Sequence, residues 1–193
     1  MMQEMKRLDQ IVLIGTFVGF SWLGMQGVHE LGHVLGAAAT GGQVTKVVLH
    51  PCTISRTDVY PNPHPLVVVW AGPVVGVVLP LLAFLIARAL RSPGVYLFRF
   101  FAGFCLIANG GYIGVGAIQG LADAEDMLRH GSSRWQLILF GILTASLGLY
   151  LWNGLGPKFG LGQGKGSVSR AAALTSLALF VVVAAIEMAI GSK

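Results

Sequence analysis

Val28-His29-Glu30-Leu31-Gly32-His33 follows directly on Ile11-Val12-Leu13-Ile14-Gly15-Thr16-Phe17-Val18-Gly19-Phe20, an apolar run that continues through Trp22 and Leu23. These two stretches decide the fold together. The run is long and apolar enough for a membrane-spanning helix, and the motif places two imidazoles and a carboxylate towards its far end. An α-helix turns about 100° per residue, so His29 and His33 lie about 40° apart on one face. Both can reach one metal ion. Glu30 projects about 60° from His33, where it can reach a water on that ion without being a ligand. Two neutral histidines and an adjacent glutamate are the His-Glu-x-x-His pattern of zinc hydrolases: the histidines bind Zn²⁺ and the glutamate takes a proton from water.

Ordinary polar contacts on a helix are the competing explanation. With five His and four Glu in the chain, chance places the pattern roughly 0.003 times. Ionisable residues within a membrane span cost ~2.5–3.5 kcal/mol each on insertion scales for Asp, Lys or Arg, so their presence there points to function.

Outward from the motif, the whole chain has membrane character. Of its 193 residues 54% are hydrophobic and 11% charged, and the mean hydropathy is +0.73. Soluble domains carry about 25% charged residues. The expected fold class is an all-α membrane protein of about five transmembrane helices, in one domain over residues 1–193. A short re-entrant or membrane-associated β-hairpin is expected after the first helix. The net charge of +5 is scattered over short connections facing the bilayer, which excludes a nucleic-acid reading. Cys52 and Cys105 form no CxxC pair. No cleavable signal peptide is read, because the first apolar stretch runs on into the motif.

The first span runs from residue 11 to about 39, after a polar start. Gly15 and Gly19, then Gly32 and Gly36, give it two small faces for close helix approach. Val44–His50 and Thr53–Tyr60 are β-prone, and Pro61, Pro63 and Pro65 force an extended connector. Residues 66–90 form a second span with Ala71-Gly72-Pro73 near its start. Residues 95–120 form a third, dense in glycine, with Asn109 set to make an interhelical hydrogen bond. The core 11–130 is completed by spans 134–152 and 170–190. The Gly-rich stretch 153–169 reads as a flexible linker, and Glu187 as interfacial.

A catalytic zinc takes three protein ligands and keeps one position open. Alternating spans bring the ends of the first and third helices to one membrane level. Gly120–Gly131 follows the third and holds three of the chain's eight acids within four residues. Asp123 and Asp126 are therefore the candidates for the third ligand, with Asp123 alternatively an N-cap of a helix 124–130. His50 and His64, in the extended segment, are lesser candidates. A carboxylate balances the charge: Zn²⁺, two neutral His, one Asp⁻ and Glu30 as carboxylate sum to zero, which a low-dielectric bundle favours.

The motif at the end of a first span, the extended loop, Ala71-Gly72-Pro73 opening the next span, and an Asp after a Gly-rich third span resemble the site-2 protease family of intramembrane zinc metallopeptidases. The resemblance covers roughly residues 20–130. It implies Glu30 as general base, His29 and His33 as Zn²⁺ ligands, and an Asp of the third core helix as the last ligand, here Asp123. It also implies a membrane-protein or transmembrane-peptide substrate cleaved in or near the lipid bilayer. Two other functions compete: a non-catalytic zinc-stabilised membrane scaffold or regulatory partner, and a transporter. An intact Glu30 speaks against the first, since structural sites need no base and usually have four protein ligands. Against the second speaks the lack of any repeat between halves.

Overall fold

A computed structural model describes residues 2–191. Helix α1 (Met2–Thr40) is followed by strands β1 (Val44–Val48) and β2 (Arg56–Val59), then α2 (Pro65–Ala89), α3 (Val95–Gln119), the short α4 (Ala122–Arg129), α5 (Arg134–Trp152) and α6 (Arg170–Gly191). Five of these helices are long and apolar enough to cross a membrane. The expected hairpin is present: β1 and β2 pair antiparallel with Val47 opposite Thr57, and a bulge lies between Val44 and Lys46.

Helix α1 begins nine residues before the expected start. The polar segment Met2–Gln10 contains no glycine or proline, so nothing breaks the helix there. Its other end is fixed by local chemistry. Thr40 Oγ1 donates to the Gly36 carbonyl, Gly41 takes φ +75°, and the Gly42 N–H bonds back to Ala37. Pro65 opens α2 in the first turn, where a missing N–H costs nothing. Ala71-Gly72-Pro73 lies inside the continuous α2 rather than at a turn.

The packing is of two kinds. Along α1 and α2, and along α3 and α5, backbones meet through glycine. A β-carbon on Gly36 would lie 3.2 Å from the Val68 Cα, and one on Gly141 would lie 2.7 Å from the Gly110 carbonyl oxygen and 2.9 Å from the Gly114 Cα. Van der Waals contact and close approach, rather than hydrophobic burial, hold such pairs in an apolar medium. Elsewhere rings fill the space: Leu13 and Phe17 of α1 pack with Leu155, Phe159 and Ala173.

One expectation fails here. The stretch 153–169 is not a free linker. It forms short 3₁₀ turns at Gly156–Phe159 and Gly162–Gly164, and Gln10 donates to the Phe159 carbonyl at 3.1 Å. Leu155 and Phe159, both buried with Leu13, Phe17 and Ala173, anchor it through apolar burial. Glu187, four residues from the end of α6, is buried against the protein at 4% exposure. Helix α6 runs parallel to α1, as the Thr16–Ser176 hydrogen bond and the Gly19–Phe180 contact show.

Candidate metal centre

Four elements meet at the motif. His29, Glu30 and His33 come from α1 and are all buried. Residues Val68 and Gly72 come from α2, Asn109 and Tyr112 from α3, and Asp123 from α4. His29 and His33 face each other through Nε2 at 3.1 Å. Asp123 Oδ2 lies 2.9 Å from His29 Nε2 and 3.3 Å from His33 Nε2. His29, His33 and Asp123 form a group that can hold a metal ion.

Hydrogen bonding on the far side of each ring fixes what the near side offers. The His33 Nδ1 lies 2.9 Å from the Val68 carbonyl, which only accepts, so Nδ1–H is the donor. His29 Nδ1 lies 2.7 Å from Asn109 Oδ1, and Asn109 spends its Nδ2–H on the Cys105 carbonyl. His29 Nδ1–H is therefore also a donor. In a neutral imidazole the other nitrogen then carries a lone pair. Two Nε2 lone pairs and a carboxylate oxygen converge with no proton among them. Only a cation, or a proton borne by a ring, satisfies that arrangement. Either one puts positive charge beside Asp123. Burial pushes the Asp123 carboxyl up, but the N–H and positive charge that a protonated His29 or His33 turns towards it outweigh burial and hold the group well below the usual carboxylate range.

The helix ends are shaped to deliver Asp123. Gly120 ends α3 in the left-handed region at φ +67°, and Ala122 takes φ +49°. A left-handed alanine costs roughly 1–2 kcal/mol, which the α3–α4 contacts of Ala124 and Met127 offset. Asp123 then sits inside α4, whose N-cap is Leu121. It is thus not the N-cap of a helix 124–130: its carboxylate turns back to the histidines.

The other candidates stay outside. Asp126 pairs with Arg129 at 3.8 Å, and its side chain is 54% exposed, although it lines the same cavity. His50 Nδ1 accepts from the Cys52 N–H, and His64 stands exposed before α2 with no capping bond. Both cysteines are free.

Glycine on α2 makes the room. A β-carbon on Gly72 would collide with the His33 ring and lie 3.0 Å from His29 Nε2; one on Gly76 would lie 2.7 Å from Asn109 Oδ1. On α1, a β-carbon on Gly32 would collide with the Ala71 carbonyl. The site opens on a cavity of about 1110 Å³ lined by α1, the hairpin, α2, α3 and α4.

Three residues of this site were not assigned a role there by sequence reasoning. Asn109 makes the interhelical hydrogen bond expected of it, and that bond orients His29. A single amide in a glycine-rich apolar span was the available signal. Tyr112 stands one turn on, its ring edge-on to His29 at 5.8 Å. Thr57 of β2 donates its hydroxyl to Glu30 Oε2 at 2.7 Å, and nothing local to Thr57 announces that contact. Compared with protein families, curated proteins and solved structures, the chain finds no match.

Proposed function

We propose that this chain is a zinc-dependent intramembrane endopeptidase, doing the chemistry that the site-2 protease resemblance implies. The observation that carries the reading is the convergence of two imidazole lone pairs and the Asp123 carboxylate, beside a buried Glu30, on one large cavity. Zinc bonds of about 2.0–2.1 Å in a tetrahedron give ligand–ligand edges of roughly 3.3 Å. The separations of 2.9, 3.1 and 3.3 Å approach that size. A mixed nitrogen and oxygen set also suits zinc better than calcium or magnesium, which take oxygen.

Three protein ligands, not four, fit a catalytic rather than a structural ion. The cavity beside them speaks against the scaffold reading. Bound there, the ion supplies a Lewis acid that acidifies a water and polarises a carbonyl. The chain's own residues do the rest. Glu30 accepts the proton and can return it to the leaving amine. Asn109 and Val68 hold the two rings in the tautomer that binds metal. Five helices long and apolar enough to cross a membrane support the reading of a multi-pass membrane protein, and on that reading the substrate is a membrane-protein segment. Such a segment must unwind first, since helical amides are already hydrogen-bonded. The two-stranded hairpin, with no third strand paired to it among the described residues, suits an extended peptide.

Metal analysis together with a cleavage assay tests the proposal. Glu30→Gln should keep its zinc and lose at least ~10²-fold in cleavage rate, the scale of a general base. Undiminished hydrolysis by this variant, or a wild-type protein that binds no zinc, sinks it.

A further inference from the structure

We infer that Thr57 is a positioning residue for Glu30, so that the hairpin and the general base act as one unit. The inference rests on the peptidase reading and adds a residue to it. Glu30 is 2% exposed, and its carboxylate accepts the Thr57 hydroxyl across 27 residues of chain. A carboxylate only accepts, so the hydroxyl proton points at Glu30.

Strand alternation delivers that hydroxyl. On β2, Thr57 and Val59 face inward; the Val59 Cγ1 would lie 3.0 Å from a β-carbon on Gly42 at the end of α1. Arg56 and Asp58 face outward and pair with each other at 3.3 Å. A slip of one residue would aim a carboxylate or a guanidinium at Glu30. The register with Val47 opposite Thr57 therefore matters to the site as well as to the sheet.

Chemistry gives the contact its purpose. Glu30 stands beside two metal-ligating histidines, and a free carboxylate there can swing in as a fourth ligand. Such a ligand closes the open position and removes the base. Engaging Oε2 with Thr57 restrains that swing and leaves the second oxygen as proton acceptor. The hydroxyl is carried by a hairpin that also lines the cavity, so a displacement of β2 is transmitted to the base.

The experiment compares wild type, Glu30→Gln, Thr57→Val and Thr57→Ser, each with zinc content and thermal midpoint measured. The probe is a dye-quenched unfolded protein in detergent micelles. Valine matches threonine in shape and lacks the donor. Thr57→Val should lower kcat about 10- to 100-fold, the range for a lost hydrogen bond to a charged group, with KM, zinc and midpoint unchanged. Serine restores the donor, so Thr57→Ser should return kcat to within about threefold of wild type. Wild-type kcat in Thr57→Val overturns the inference. So does an equal loss in both variants, or a raised KM at unchanged kcat, which makes Thr57 a substrate contact. If zinc-loaded wild type cleaves nothing, or Glu30→Gln cleaves as fast as wild type, the peptidase reading falls first and takes Thr57 with it.

Discussion

The two halves of α1 each carry a pair of glycines four residues apart, Gly15 and Gly19, then Gly32 and Gly36, and differ in how they are held. From Leu13 to Phe20 the helix is packed by rings. Phe17 lies 5.6 Å from Phe20, 5.6 Å from Phe100 and 6.4 Å from Phe159. From His29 to Gly36 it is packed by backbone, with Gly32 and Gly36 on Ala71 and Val68 and with the Nδ1 of each buried imidazole engaged. Rings tolerate small movements, because their contacts are many and undirected. A glycine seam and a hydrogen-bonded pair of rings do not. The rigid half carries the candidate chemistry, and the ring-packed half anchors it.

The largest expected break in this comparison is Asp123→Asn, at the rigid end. Asparagine caps helices about as well as aspartate, and Asp123 is not a cap here, so the fold should stand. The anionic ligand is lost, and zinc affinity and cleavage should fall together to background. Asp126→Asn, at an exposed ion pair worth little, should change neither. Zinc titration of both variants decides it: equal occupancy in wild type and Asp123→Asn, with loss in Asp126→Asn, moves the ligand to Asp126.

Next comes Gly32→Ala. The added methyl meets a backbone carbonyl of α2, which cannot rotate away, so α1 and α2 must part. A displacement of about 1 Å in a catalytic constellation costs up to ~10²-fold in rate. Cleavage should drop by that order while the protein remains folded by circular dichroism. Wild-type activity would mean that the seam does not set the site.

In the ring-packed half the currency changes from rate to stability. Phe159 is buried against Phe17, Tyr96 and Phe100. Phe159→Ala should cost roughly 3 kcal/mol, at the lower end for such truncations, and lower the thermal midpoint in detergent. At a temperature where the variant is folded, zinc binding and kcat should match wild type. A large loss of kcat there would show that the halves are not separable.

The same contrast governs how much the sequence reveals. Helices were legible because apolar runs are bounded by Gly41, Pro65 and Gly120, and each of these residues acts locally. His29, Glu30 and His33 were legible because one helix fixes their spacing. Asp123 is preferred by the sequence with Asp126 kept beside it, since separating the two depends on the left-handed turn at Gly120 and Ala122. Thr57, the role of Asn109 and the burial of Glu187 depend on which elements pack together. The anchoring of 153–169 was missed for a similar reason: glycine count signalled flexibility, while two apolar side chains, Leu155 and Phe159, decided the packing.

The smallest expected effect is the sharpest test of the division. Gly15 and Gly19 were read as a close-packing face like Gly32 and Gly36. The structure separates them. A β-carbon on Gly15 meets nothing within 4 Å, and one on Gly19 meets the ring of Phe180, whose side chain can turn. Gly15 is glycine without a steric need for it. Alanine in a helix interior is favoured over glycine by about 1 kcal/mol in water, so Gly15→Ala should leave the thermal midpoint equal or slightly raised and cleavage unchanged. The same single methyl, seventeen residues later on the same helix, is expected to cost up to ~10² in rate. If Gly15→Ala instead lowers activity or stability, a partner must press on that face. The ring-packed half would then be a second interface, and the separation of anchor from chemistry along α1 would fail.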